Sequence, residues 1–347
     1  MKDQRKFIHF HCFVFLFIIY PFTLSSTEYL TIGGEKHGWE VSVHPDRGTI
    51  KQFRQLMGDV WETIPFRDDS LAGPAWSGMQ LCPSKKQLYV FEAHQGDIYY
   101  TLRYKAAYDH LIVECTISNR GDDVFRPEYS RLFIGVDSEM KTYPDWDTKF
   151  FPTLLRCEKD FAWGYFMSPR QIIMGIGVEE PVASYTLNYV YEGSMEWKWG
   201  HQIKTGSLDL LHCLPLPERH PQNNISLKPH ETRKWTLHLG VVDRLAGVKE
   251  KLSQWIQAPM IECEKYTMAG HETSRLLIHS QSGLEKLIVK APDGTQSVLP
   301  VDGVADNVYS ALFSPSSQKG LYRITATAIN GKTAEAGIYI RNPWSWY

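Results

Sequence analysis

Cysteine is scarce in this chain: six in 347 residues, at Cys12, Cys82, Cys115, Cys157, Cys213 and Cys263, with no CxxC or CxxH pair among them. That spacing excludes a compact structural zinc site and a dithiol redox motif. An excess of one charge is missing too. The formal net charge is −2, and no long run of like charge occurs, so attraction to nucleic acid by bulk charge is excluded. There is no GxSxG elbow, no HExxH pair and no phosphate-binding loop. The acidic run Arg67-Asp68-Asp69-Ser70 lacks calcium-loop spacing, so neither a metal nor a cofactor is expected. Helical periodicity is nearly absent before residue 243.

Long apolar runs are also few. The longest stretch, Phe13 to Leu24, is about 12 residues, contains Pro21, and falls short of the roughly 20 that cross a bilayer. Behind Lys2, Arg5 and Lys6 it reads as the apolar region of a secretory signal spanning 1–26, with cleavage near Ser25 to Thr27. An uncleaved anchor is the competing reading. Removal of the signal leaves five cysteines, an odd set at wide spacings. In an exported protein this fits a bacterial periplasm or cell surface better than a small stapled ectodomain. Cys115 alternates in step with Leu111, Val113 and Ile117, which predicts a core position.

What is present is period-two alternation. With 43% apolar residues the chain can fill real cores. From Tyr29 to about Leu239 short alternating runs are separated by Gly, Pro, Asn and Asp, the pattern of an all-β sandwich or barrel. Strands are predicted at 39–43, 87–92, 97–104, 110–117, 130–136, 171–177 and 233–241. The pair 97–104 and 110–117 reads as a hairpin, with Ile98, Tyr100, Leu102 and Tyr104 facing one way. One helix is predicted over about 243–257, with Asp243 as N-cap. Its apolar face is Leu245, Val248, Leu252 and either Trp255 or Ile256, and it ends before Pro259.

The residues from 259 to 341 form a second pattern of shorter strands. Tyr322, Ile324, Ala326 and Ala328 alternate, then Asn330-Gly331 marks a hairpin turn, then Ala336, Ile338 and Ile340 alternate in turn. A type I′ turn, with both central residues at positive φ, is the expected geometry. Size and strand count resemble an immunoglobulin-like or fibronectin-like sandwich.

The stretches DRGTIKQF (46–53), YTLRY (100–104) with HLIVECTISNRGD (110–122), and PHETRKWTLHLGV (229–241) resemble the galactose-mutarotase-like β-supersandwich. The resemblance covers about residues 29–258. It implies an all-β chain with a supersandwich over 27–258, followed by an immunoglobulin-like sandwich over 259–341. That fold occurs in free-standing sugar epimerases and as the β module of polysaccharide lyases and glycoside hydrolases whose catalytic part is often an (α/α) toroid. On this footing Arg341-Asn-Pro-Trp-Ser-Trp-Tyr347 reads as a linker over 342–347. Trp344, Trp346 and Tyr347 would then pack on a helical catalytic domain absent from this chain. The expected role is a noncatalytic front region that binds glycan or shapes a cleft, with no catalytic residue of its own. A stand-alone glycan-binding protein is one alternative. An aldose 1-epimerase is another, needing a Glu and a His such as Glu192, His94 or His201, none of which sits in a matching epimerase motif.

A polysaccharide or oligosaccharide partner would stack its apolar C–H face on aromatic rings, with polar side chains around the rim. The stretches 143–150, 160–165 and 188–201 supply the candidates Asp145, Trp146, Asp147, Trp163, Trp197, Trp199 and His201. Packing of a wide sandwich or an interdomain seam is the competing use for these rings. The Pro-framed loop 217–222 adds Arg219, able to grip a uronate carboxylate with two hydrogen bonds, and His220. Asn224-Ile225-Ser226 matches a glycosylation acceptor in form alone.

Overall fold

The computed structural model describes residues 28–71, 76–83, 85–134, 151–167, 172–191, 201–214, 222–316 and 318–342, with main chain alone at 65–70, 151–154, 187–191, 201–205 and 222. In chain order the first strands are β1 (Leu30–Gly34), β2 (Trp39–Val43), β3 (Ile50–Met57), β4 (Val60–Ser70), β5 (Gln80–Leu81), β6 (Leu88–Gln95), β7 (Ile98–Ala106) and β8 (Leu111–Asn119). Then come β9 (Tyr129–Ile134), β10 (Phe151–Cys157), β11 (Ala162–Met167), β12 (Ile173–Val178), β13 (Ser184–Tyr191), β14 (His201–His212) and β15 (Thr232–Val242).

These strands make two layers. One is an eight-stranded sheet in the order β10-β11-β12-β15-β8-β7-β6-β5. The other consists of β1-β2-β3-β4 and β13-β14-β9, joined where the Leu71 N–H, one residue past β4, donates to the Phe133 carbonyl at 2.7 Å. Alternation decides which side chains meet between them. On β7, Tyr100, Leu102 and Tyr104 point inward, and on β8, Val113, Cys115 and Ile117 do so. Trp39, Phe53, Trp76, Phe91 and Trp235 complete the largest groups of this core.

Two of the buried rings have their polar tips satisfied by main chain, whereas the buried Trp76 Nε1 has no hydrogen-bond partner among the described residues. The Tyr104 hydroxyl donates to the Gly48 carbonyl at 2.5 Å, and Trp235 Nε1 donates to Pro181 O at 2.9 Å. Gly48 has φ +67°, and a Cβ there would lie 2.9 Å from the Phe91 ring. This is why the Asp-Arg-Gly turn needs glycine.

The outer face of the eight-stranded sheet divides in two. Over β6 to β15 it is polar, with Glu114 held by Lys105 at 2.9 Å and Lys234 at 3.5 Å. Over β12 and its neighbour β15 it is almost bare, because Gly175 and Gly177 on β12 and Gly240 on β15 face outward. Helix α1 (Val248–Ile256) lies in that shallow groove, burying Val248, Leu252, Trp255 and Ile256. The helix starts later than the sequence suggests. A short 3₁₀ turn, Leu245–Gly247, precedes it, Gly247 occupies the N-cap with no side-chain cap bond, and Leu245 is 50% exposed. Asp243 therefore lies ahead of the helix and does not cap it.

Beyond α1 follow β16 (Met260–Cys263), β17 (Thr267–Ala269), β18 (Ser274–His279), β19 (Leu284–Lys290) and β20 (Gln296–Val298). The chain then adds β21 (Gly303–Ala305), β22 (Val308–Phe313), β23 (Gly320–Ala328) and β24 (Thr333–Arg341). They form an immunoglobulin-like sandwich of β16-β18-β22-β21 against β17-β24-β23-β19-β20, with β17 parallel to β24. Leu276, Ile278, Phe313, Tyr322, Ile324 and Ile338 fill it. The β23–β24 hairpin forms where Asn330-Gly331 predicts, but only Gly331 has positive φ, at 85°. The Ala328 N–H donates to Lys332 O, so the loop has three residues and the single left-handed glycine that such loops favour, not the type I′ turn expected.

The two sandwiches share one apolar cluster that runs from Phe161 and Trp163 through α1 into β18, β23 and β24. Polar contacts line the same seam. Arg156 Nη2 donates to Glu335 O at 2.9 Å, Lys332 Nζ donates to Ile256 O at 2.8 Å, and the Thr333 amide and hydroxyl both donate to Asp160 Oδ2.

Candidate functional site

The sequence candidates fall mostly on segments beyond the described residues. Asp145, Trp146, Asp147, Trp197, Trp199, Arg219 and His220 lie outside them, as do Glu192, Trp344, Trp346 and Tyr347, and His201 is described by its main chain alone. Trp163 is described. It is 4% exposed, embedded between the sheet and the second sandwich, and so has no ring face open to a sugar. His94 is exposed, stacked at 5.2 Å on Tyr99, whose ring also carries the Arg120 guanidinium at 3.6 Å. No carboxylate is hydrogen-bonded to His94 among the described residues. Asn224 is 1% exposed and accepts from Arg233 Nη1 while donating to Pro181 O, which closes it to glycosylation.

The topology does relate the candidate segments to one another. β9 ends at Ile134 paired with Gly206, and β13 ends at Tyr191 paired with His201. Segments 135–150 and 192–200 are thus attached at the same end of the β13-β14-β9 sheet. Segment 215–221 follows the opposite end of β14, where His212 pairs with Tyr129.

The outward face of that sheet carries the most developed polar constellation. On β9, Ser130, Leu132 and Ile134 point into the core, so Tyr129, Arg131 and Phe133 point out. Register places Asp209 of β14 between Arg131 and Ser184 of β13 on one rung. Ser184 Oγ donates to Asp209 Oδ2 at 2.6 Å, and Thr186 Oγ1 donates to the same oxygen at 3.1 Å. Arg131 Nε lies 3.2 Å from Asp209 Oδ1. Asp209 is 1% exposed, and a carboxylate so buried persists as an ion only with such partners.

The Arg131 guanidinium stacks 3.5 Å over the Tyr129 ring, so its plane is fixed from below while its pair with Asp209 fixes it from the side. Tyr129 in turn stacks loosely on His212, with centroids 6.5 Å apart. The Leu214 N–H donates to His212 Nδ1 at 3.1 Å, which places the His212 proton on Nε2 and leaves that N–H as a donor.

Three buried polar atoms on this face have no hydrogen-bond partner among the described residues: Asp209 Oδ1, Arg131 Nε and Ser207 Oγ. The Arg131–Asp209 approach is therefore a charge contact without hydrogen-bond alignment. Unpaired buried polar atoms are rare, and their clustering sets this group apart among the described residues, although Asp209 and Ser207 are themselves buried and Arg131, Tyr129 and His212 at its edge are only partly exposed. Asp209 also bears on Cys157, whose thiol is pushed up to about 12, by burial first and by this carboxylate second. Cys157 is thus a neutral packing group. Chemically, the edge of this face offers an oriented guanidinium and a His N–H, which suit a carboxylate or hydroxyl group of a ligand.

Sequence reasoning missed this set. One signal was available, a lone Asp inside the apolar run SLDLL of β14. Arg131 follows as its partner only once register is known.

No family model matches the chain, and no curated protein matches it. Among solved structures the chain is similar to a polysaccharide lyase, with TM-score 0.62 and 15% identity over 89% of this chain. The chain spans 47% of that protein, less than half its length. A galactose mutarotase related enzyme from Lactobacillus acidophilus is matched over 62% of this chain and 97% of its own, at TM-score 0.36 and 6% identity. A galactose mutarotase-like protein from Lactobacillus casei is matched over 62% and 100%, at TM-score 0.34 and 10% identity. At 15% identity the likeness to the polysaccharide lyase is one of fold: an all-β chain made of a large two-layer sandwich followed by a smaller one.

Proposed function

We propose that this chain is the noncatalytic β region at the front of an exported, bacterial, polysaccharide-degrading enzyme, where it binds glycan or shapes the cleft of a helical catalytic domain. The observation that carries this reading is the likeness to a polysaccharide lyase, which takes in 89% of this chain but only 47% of that one. A β region that accounts for under half of such an enzyme leaves room for a separate catalytic part. Fold alone does not give function, so the site must support the reading independently. The Arg131–Asp209 face supports it by its chemistry, because an oriented, partly exposed guanidinium near the His212 N–H suits an acidic sugar. The basic-then-apolar start of the sequence supports export with a signal over 1–26. Trp344, Trp346 and Tyr347 are assigned the role of docking the helical domain.

The test is calorimetric titration of the purified chain with uronate-containing and neutral oligosaccharides, alongside assays for chain cleavage and for anomer interconversion. Saturable binding of acidic sugar without turnover, weakened at least tenfold in Arg131→Ala, is the expected result. Cleavage or anomer interconversion by the chain alone overturns the noncatalytic assignment. Equal binding by Arg131→Ala overturns the site.

A further inference from the structure

A separate constellation lies under α1, on the other layer of the first sandwich. Asp109 and His110 precede β8, His238 stands on β15, Glu179 follows β12 and Lys251 belongs to α1. They form one unbroken line. Lys251 Nζ lies 2.5 Å from Asp109 Oδ2, Asp109 Oδ1 is 2.7 Å from His110 Nδ1, His110 Nε2 is 2.8 Å from His238 Nδ1, and His238 Nε2 is 2.8 Å from Glu179 Oε1. Both rings are buried, at 7% and 3% exposure. Trp255 of α1 stacks on His110 with centroids 4.6 Å apart.

The line can be read by counting protons. An ionised carboxylate only accepts, so His110 Nδ1 and His238 Nε2 must each carry a proton. The bond between the rings needs one more. Three protons on four ring nitrogens make one neutral imidazole and one imidazolium. Burial, the largest influence on His110, holds it down to about 4 against the support of Asp109, and the charges of His238 and Lys251 push the same way. His110 is therefore the neutral ring, accepting at Nε2, and His238 is the cation that donates from both nitrogens.

Other charges surround the line from each packed element. Asp109 is held down to about 2, against its own burial, by His110 and Lys251. Glu179 is lowered by His238, with Lys332 and Lys234 assisting against burial. Glu180 is raised, chiefly by burial. Lys332, from the β23–β24 turn of the second sandwich, is lowered by burial while Glu179, Glu180 and Asp160 support its charge. The line thus begins at a cation on α1 and ends beside one on the second sandwich.

We propose that this relay is a pH-responsive latch: with three protons it seats α1 and the second sandwich on the large sheet, and a fourth proton unseats them. The fourth proton can only enter at His110 Nε2. There it sets N–H against N–H across 2.8 Å and puts a second imidazolium beside Lys251 and His238 in a buried place. When α1 lifts, His110 meets water and returns toward its ordinary 6.5. The opened form then binds more protons than the seated form between pH 6.5 and about 4, so opening is favoured as pH falls through that window and levels off below it. Asp109 and Glu179 add acid sensitivity only below their ordinary 3.8 and 4.5, and Glu180 acts in the opposite sense.

Hydrogen–deuterium exchange on the whole chain, corrected for the pH dependence of intrinsic amide exchange, reads the latch directly. The opening constant of residues 245–258 is expected to rise on the order of 100-fold between pH 7 and pH 4, while that of β7 and β8 rises far less. In His110→Phe, which keeps a ring for Trp255 to stack on, the rise between pH 6.5 and 4.5 should vanish. An unchanged pH dependence in that variant, or a flat one in the parent, overturns the latch. If His110→Phe does not fold, nitrogen NMR of histidine-labelled parent protein decides. At pH 7 the two rings should show three protonated nitrogens and one bare one, and two neutral rings overturn the proposal.

Discussion

Replacing Gly177 with alanine should loosen the joint between the two sandwiches, and the effect can be worked from the packing. Gly177 stands on β12 with His238 on one side and Trp163 on the other, facing α1. A Cβ there would sit 2.4 Å from Ile256 Cγ2, about 1 Å inside ordinary contact distance. Ile256 is fully buried, so it has no solvent side to swing toward. Overpacking of this kind costs about 1–3 kcal/mol. Gly177 does not have positive φ, so alanine is allowed by the backbone and recovers about 0.4–1 kcal/mol by restricting the unfolded chain. The net expectation is a loss of about 1–2 kcal/mol, seen as a drop in Tm of about 2–4 °C for each kcal/mol.

The mechanism is separable from general damage by a double-mutant cycle. Ile256→Ala alone should cost about 2–5 kcal/mol by leaving a cavity. In the Gly177→Ala background it removes the clashing methyl, so the two losses should fall short of their sum by about 1 kcal/mol or more. Calorimetric melts of the four proteins give the answer. Strict additivity, within about 0.5 kcal/mol, would refute the claim that the bare strand face exists to seat α1.

Three further outcomes are expected. Trp163→Ala should cost about 3–5 kcal/mol in denaturant melts while leaving the glycan affinity of the folded protein unchanged, and a selective loss of affinity would return Trp163 to the binding face. Asp209→Ala strands the Arg131 charge against a buried sheet and should cost about 3–5 kcal/mol, whereas a change within 0.5 kcal/mol would mean the pair is not buried as described. Native alkylation followed by mass spectrometry should modify Cys82 and Cys213 well before Cys115, Cys157 and Cys263, because burial pushes Cys157 up to about 12 and Cys263 up to about 11, leaving almost no thiolate at pH 8.

The β architecture was legible because alternation reports directly on which residues face a core. Tyr100, Leu102 and Tyr104 occupy the face their spacing gives them, as does Cys115. The turn chemistry was legible in kind but not in detail. Asn330-Gly331 marks the hairpin, yet Lys332 must reach Ile256 O and Asn330 must reach Gln257 O, and a three-residue loop with one left-handed glycine meets both. The start of α1 was misread for a related reason. Asp243 is a good cap by composition, but Val242 is still paired with Ile173 in the sheet, so the chain cannot begin to coil until it has turned through Leu245–Gly247.

The polar constellations were hardest to read because each is assembled by register between strands distant in sequence. Asp209 meets Arg131 and Ser184 only through the pairing of β14 with both neighbours, and a shift in register between Asp209 and Leu211 sets which residues share the rung. His110 and His238 are 128 residues apart and become neighbours because β15 lies beside β8. In sequence each is an isolated histidine on a strand or its edge, where a satisfied core residue is the ordinary outcome. What turns them into a functional question is the proton count, which needs both end carboxylates in place. Asp109 and Glu179 each sit just outside a strand, where a sequence reading expects solvent. Aromatic richness, by contrast, drew attention to Trp163, whose burial shows that in a chain of stacked sandwiches a tryptophan is as readily the filling of a seam as the floor of a sugar site.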